Sequence, residues 1–104
     1  MDFPTAEKLH TIMHEEEMEI GRTKGVEYTQ GGRCDNFKRL GEELGLPPEV
    51  ILWVYLKKHM DSILSYIRTG KVYSESIDGR ITDARNYLFL LRALIEEKKE
   101  DSRD

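Results

Sequence analysis

Two acidic pairs spaced for metal chemistry open the question of what this chain does: Glu16 and Glu19 in HEEEMEIG, and Glu75 and Asp78 in ESID. Residues three apart share a helix face, so each pair can aim two carboxylates into the same space. Hard divalent cations prefer such oxygens and keep waters for a bound phosphate, which makes Mg2+ the ion to expect if the two pairs meet. Extending Leu9 and Met13 by three positions reaches Glu16, so its carboxylate points toward the interior, where a charge needs a partner or a metal. A plainer reading stands beside this one. Glu15, Glu16, Glu17 and Glu19 form a solvated face, and Glu75 and Asp78 complement a helix dipole.

A second group carries hydrogen-bonding side chains. Arg80, Asp83 and Tyr87 fall at i, i+3 and i+7 with Asn86 adjacent, so four hydrogen-bonding groups share a flank. In the preceding helical stretch Ile51, Tyr55, Lys58, Ser62 and Tyr66 line a mixed flank, while His59 falls between Leu56 and Ile63 on the apolar one. Lys58 and His59 can meet a phosphate, and Tyr55 or Trp53 can stack on a base. The competing assignments are a core histidine bonded to a neighbour, a surface Arg80–Asp83 pair, and tyrosines that serve as oligomer contacts.

KGVEYTQGGRCDNF, residues 24–37, holds more than a corner requires, since Tyr28 and Phe37 offer either stacking faces or a plug for the end of a helical core. His10, His14 and Glu17 share a face but lack the His-Glu-x-x-His pattern of a zinc enzyme. Cys34 has no histidine tied to it by spacing, and the GGR at 31–33 lacks the lysine and hydroxyl of a phosphate-binding loop. No catalytic residue is assigned.

Helices must position these groups. Thr5 caps a first helix over 5–22 with Ala6, Leu9, Met13 and Ile20 on one stripe, and Asp35 or Asn36 caps a short helix that carries Phe37, Leu40 and Leu44 and ends at Gly45. Leu46-Pro47-Pro48 forms a rigid joint. From 48 a long helix has Leu52, Leu56, Met60, Ile63 and Ile67 as its core stripe, widened by Trp53 and Leu64 and stopped by Gly70. After the connector KVYSES, Ser74 caps a last helix with Ile77, Ile81, Ala84, Leu88, Leu91 and Ile95 on one face. The expected architecture is all-α: a compact antiparallel bundle of three long helices and one short helix, with residues 1–96 as one domain and 97–104 as a charged, frayed tail.

Composition sets limits. With 104 residues, 38% hydrophobic and 35% charged, the chain is too apolar for disorder and lacks the run of about 18 apolar residues that a spanning helix requires. A net charge of −4 with mixed signs argues against duplex nucleic acid as a partner. One cysteine and no secretory signal fit the cytoplasm. So small a domain is expected to complete its core as a homo-oligomer.

With K-G-x-x-Y-T at 24–29, N-F at 36–37, K-H at 58–59 and G-R-I-x-D-x-x-N-Y at 79–87, the chain resembles small phage and prophage helical proteins of undefined function. More remotely it resembles the MazG-like all-α nucleotide pyrophosphohydrolases and phage domains associated with nucleotide modification. The resemblance spans roughly 22–96 and implies a small nucleotide ligand met by Lys24, Tyr28, Asn36, Phe37, Tyr55, Lys58, His59, Arg80, Asp83, Asn86 and Tyr87. It implies Mg2+ on Glu16, Glu19, Glu75 and Asp78 only for an enzyme, with no cofactor otherwise. Gly79 directly after the second pair, or Arg80 in place of the glutamate expected before Asp83, departs from the MazG-like pattern. The expectation therefore moves from hydrolysis to binding: a phage-type protein in an infected or lysogenic bacterial host that sequesters a nucleotide-derived immune signal. A Mg2+-dependent pyrophosphohydrolase and a protein-interaction module are the alternatives.

Overall fold

The computed structural model describes residues 1–28, 34–72 and 75–103, of which 24–28 and 103 are described by backbone alone. Four helices pack against each other: α1 (Phe3–Tyr28), α2 (Asp35–Leu44), α3 (Pro48–Thr69) and α4 (Ile77–Arg103), with no strand among the described residues. α3 lies on α4, α2 on α3 and α1 on α4.

The helix ends show how local chemistry places the elements. α1 begins ahead of Thr5 because Asp2 is its cap: the Asp2 carboxylate accepts the Thr5 N–H at 3.0 Å and the Asp2 carbonyl accepts the Ala6 N–H at 3.0 Å. The hydrogen bond from Thr5 holds the Asp2 carboxyl below its usual range. At its other end α1 runs past the expected stop at 22, through Gly21 and Gly25, to Tyr28. Each glycine costs about 1 kcal/mol relative to Ala, which weakens a long helix without ending it.

α2 starts after Cys34, whose carbonyl accepts the Lys38 N–H at 3.2 Å, so Asp35 is the first helical residue and neither it nor Asn36 is the cap. Its end is a Schellman turn. Gly45 adopts φ 69°, the Gly45 N–H reaches the Glu42 carbonyl at 3.4 Å, and the Leu46 N–H reaches the Gly41 carbonyl at 2.9 Å. Pro48 opens α3 and Gly70, at φ 73°, closes it, both as expected. α4 is capped by Ser76, whose hydroxyl accepts the Gly79 N–H at 3.0 Å. The expected cap, Ser74, lies outside the described residues.

The core is a cluster of Cys34, Phe37, Ile51, Leu52, Leu90 and Leu94, edged by Leu40, Tyr87, Leu91 and Ala93. It sits where α2, the start of α3 and the middle of α4 meet. The α3 stripe is only half realised: Leu52 and Leu56 are buried, whereas Met60, Ile67, Trp53 and Leu64 are exposed. On α4 the expected stripe is realised in part: Ala84 is buried and Leu91 edges the core, but Leu88 and Ile95 face solvent, and the buried face is turned toward Thr82, Asp83, Asn86, Leu90 and Leu94. Among the described side chains of α1 none is buried.

The segment expected to fray instead continues α4 to Arg103, and ion pairs account for part of that order. Lys38 Nζ lies 2.6 Å from Glu97 and Lys98 Nζ 2.8 Å from Glu49, linking the end of α4 to α2 and α3. Glu97 raises the Lys38 pKa, and Lys98 lowers that of Glu49. A depressed carboxyl stabilises the fold above its unfolded pKa, near 4.5, and the contribution disappears as pH falls through the folded value. Glu49→Gln is therefore expected to cost up to about 1 kcal/mol at neutral pH and almost nothing well below pH ~4. Urea unfolding across that pH range checks this; an equal cost at both ends would contradict the assignment.

Candidate ligand-binding site

Polar and aromatic side chains from three helices meet along the α3–α4 seam. From α3, His59 sits one turn beyond Tyr55, with its Nδ1 3.8 Å from Asp83 Oδ2 and 3.5 Å from the Arg80 guanidinium. From α4, Arg80 also reaches Glu75, with Nε 3.8 Å from the carboxylate. Arg80, Asp83 and His59 are all more than four-fifths buried. A buried carboxylate requires compensation, and the imidazole stands where it can provide it.

One imidazole nitrogen thus faces a permanent donor and an acceptor. Neutral at Nδ1, it accepts an N–H from Arg80; protonated there, it becomes a donor toward Asp83.

The aromatic part is built around Tyr87. Its ring plane lies 2° from that of Tyr55 with centroids 6.4 Å apart, and His59 lies 5.2 Å away at a 36° tilt. Phe37 from α2 meets both tyrosines edge-on, at 5.9 Å from Tyr55 and 6.3 Å from Tyr87. Phe37 is itself buried, so it braces the two tyrosines from beneath, while Tyr55 keeps part of its surface in solvent.

The seam therefore brings together Phe37, Tyr55, His59, Arg80, Asp83 and Tyr87, and buries Asn86 on the same face of α4. Lys58 is exposed on α3, next in the chain to His59. Asn36 accepts a hydrogen bond from Arg39 within α2 at 2.9 Å. Lys24 and Tyr28 belong to the last turns of α1, and their side chains lie outside the described residues.

The acids of the metal set have separate partners. Glu16 does reach across to α4, where the Thr82 hydroxyl lies 3.2 Å from its Oε2 and 2.9 Å from the Asp78 carbonyl. Glu19 pairs with Arg22 at 3.3 Å and Glu75 with Arg80, while Asp78 is exposed. Among the described residues no three His, Cys, Asp or Glu side chains gather closely enough to hold a metal ion. His10 and His14 are exposed on α1, and Cys34 is in the core, its thiol 3.8 Å from the Leu90 carbonyl.

Sequence reasoning missed Thr82 and the Arg85–Glu17 ion pair, in which Arg85 Nε donates to Glu17 Oε2 at 3.2 Å. Both join α1 to α4 across more than sixty residues, and no local spacing announces such a contact. No described helix is long and apolar enough to cross a membrane. Comparison with protein-family models, with curated proteins and with solved structures yields no match, so the seam has to be read from its own chemistry.

Proposed function

We propose that this chain is a phage-type binding protein that sequesters a nucleotide or nucleotide-derived immune signal without turning it over, as a homo-oligomer in the cytoplasm of a bacterial host. The observation that supports this most is the α3–α4 seam, where Arg80, His59, Asp83 and Tyr87 adjoin a partly exposed Tyr55. The guanidinium and the Lys58 ammonium neutralise phosphate, Tyr55 supplies a stacking face, and Asp83 and Asn86 read polar base edges. Binding is favoured over Mg2+-dependent pyrophosphate release because Glu16, Glu19, Glu75 and Asp78 do not come together as a metal-holding group among the described residues. In this reading the four packed helices of the chain form the compact antiparallel bundle of MazG-like outline.

Thermal unfolding with a panel of mono-, di- and cyclic nucleotides tests the proposal. A ligand at about 100 times its Kd adds about 2.7 kcal/mol to stability. Arg80→Ala is expected to weaken that ligand by about ten- to a hundredfold, the usual worth of a charge-assisted hydrogen bond. Pyrophosphate release that requires Mg2+ and is lost in Glu16→Gln would replace sequestration by hydrolysis. A second reading, a protein-interaction module, is favoured by the exposed apolar side chains of α3 and α4. Silence across the nucleotide panel would select it.

A further inference from the structure

α1 takes no part in the core that holds the other three helices together. That core is drawn from Cys34, α2, the start of α3 and the middle of α4, and among the described residues α1 contributes no side chain to it. The partly covered side of α1 carries Ala6, Met13, Glu17 and Ile20 at i, i+7, i+11 and i+14. Each of these is half-buried, whereas Leu52, Leu56, Leu90 and Leu94 are buried outright. Leu9, Ile12 and Met18 are exposed.

Polar contacts tie this helix to α4. Arg85 Nε donates to Glu17 Oε2 at 3.2 Å, and the two side chains keep 32% and 19% of their surface in water. Thr82 holds Glu16 less firmly: its hydroxyl has a single hydrogen, and the Asp78 carbonyl at 2.9 Å competes for it with the Glu16 carboxylate at 3.2 Å. A segment with few buried apolar contacts opens at a lower cost than the core, so α1 belongs to the least stable part of the fold. Away from α4 it is also a poor helix. Gly21 and Gly25 each weaken it, and Glu15 and Glu19, four apart, repel.

We infer that α1 is a latch, which leaves α4 as a unit and reseats while α2, α3 and α4 stay folded around their own core. Closed, it lies on Thr82, which is 5% exposed, and sets the Glu17 carboxylate against Arg85. Open, it presents to solvent the Thr82 hydroxyl and a guanidinium released from Glu17. Asp83, between these two positions in the chain, faces His59 at the seam. The latch thereby sets the charge on the helix that carries the seam: opening withdraws the carboxylates of Glu16 and Glu17 and leaves Arg85 to attract anions from solution.

Native-state hydrogen exchange of the full chain, read amide by amide, tests it. The amides of residues 7–23 are expected to exchange at least about tenfold faster, relative to their intrinsic rates, than those of Leu52, Leu56, Leu90 and Leu94. Low urea is expected to speed the core amides steeply and the α1 amides little, because undocking exposes less surface than unfolding. Glu17→Gln is expected to speed exchange over 7–23 about threefold and to leave the core amides unmoved. Core and α1 amides that share one opening, with equal protection and equal urea dependence, overturn the inference. So does a Glu17→Gln variant that leaves 7–23 at the parent rate or speeds both sets alike. No nucleotide enters the measurement, so a seam that binds none leaves the latch standing, and a latch that fails leaves the seam standing.

Discussion

Leu52→Ala is expected to lower the stability by about 3 kcal/mol, within the 2–5 kcal/mol range of such truncations in well-packed cores. Leu52 is 0% exposed and lies among Phe37, Ile51, Leu90 and Leu94, so its removal leaves a cavity shared by α2, α3 and α4. The core is small. A loss of this size is a large fraction of the 5–15 kcal/mol that holds an ordinary domain together. For a domain of this length it corresponds to a fall in Tm of roughly 12–24 °C. Urea and thermal unfolding check it, and a cost below about 1 kcal/mol would mean that the three helices do not close over this side chain.

Gly41→Ala is expected to cost about 2 kcal/mol although helix propensity alone favours Ala by about 1 kcal/mol. A Cβ at this position would stand 2.5 Å from the Leu46 carbonyl oxygen and 3.4 Å from the Pro48 nitrogen. Both are backbone atoms, and neither can rotate away. The same turn carries the Leu46 N–H to the Gly41 carbonyl, so relief of the clash disrupts the Schellman closure that aims α2 at α3. The sign is the informative part. A stabilised variant in denaturant unfolding would show that the α2–α3 joint is looser than its backbone contacts indicate.

Those two positions also mark what the residues alone made legible. Gly45, Pro48 and Gly70 announce their turns because helix ends are governed by local conformational preference, and all three act as their types imply. Leu52 and Leu56 are readable as core for a similar reason, since the period identifies which side chains share a face. The period does not say what covers that face. Met60, Trp53 and Ile67 continue the apolar pattern of α3, and the described helices leave them exposed.

α4 makes the same point with polar residues. Ile77, Ile81, Ala84, Leu88, Leu91 and Ile95 form its most apolar stripe, yet only its Ala84–Leu91 edge meets the core, and the helix buries the side that begins with Thr82, Asp83 and Asn86 and continues through Leu90 and Leu94. Hydrophobicity ranks faces correctly only while each polar group remains in water. Here His59 lies against Asp83 and Arg80 against His59, which reduces the cost of burying that face. The flank of Arg80, Asp83 and Tyr87 was visible because its members share one helix, and His59 because it interrupts an apolar run. Their meeting depends on how α3 crosses α4. The acids were misleading for the converse reason: Glu19–Arg22 is a local pair, while Glu16–Thr82 and Glu17–Arg85 are set by the packing of α1 on α4.

The seam is the centre of the account, and residue-resolved NMR titration with the nucleotides that raise Tm addresses it most directly. The expected result is saturable shifts confined to the backbone amides of residues 55–59 and 80–87, lost together in Arg80→Ala with the α2 amides unmoved. Shifts that cluster instead on the outer side of α3 or along α1, or a spectrum unchanged at every nucleotide concentration, would contradict it.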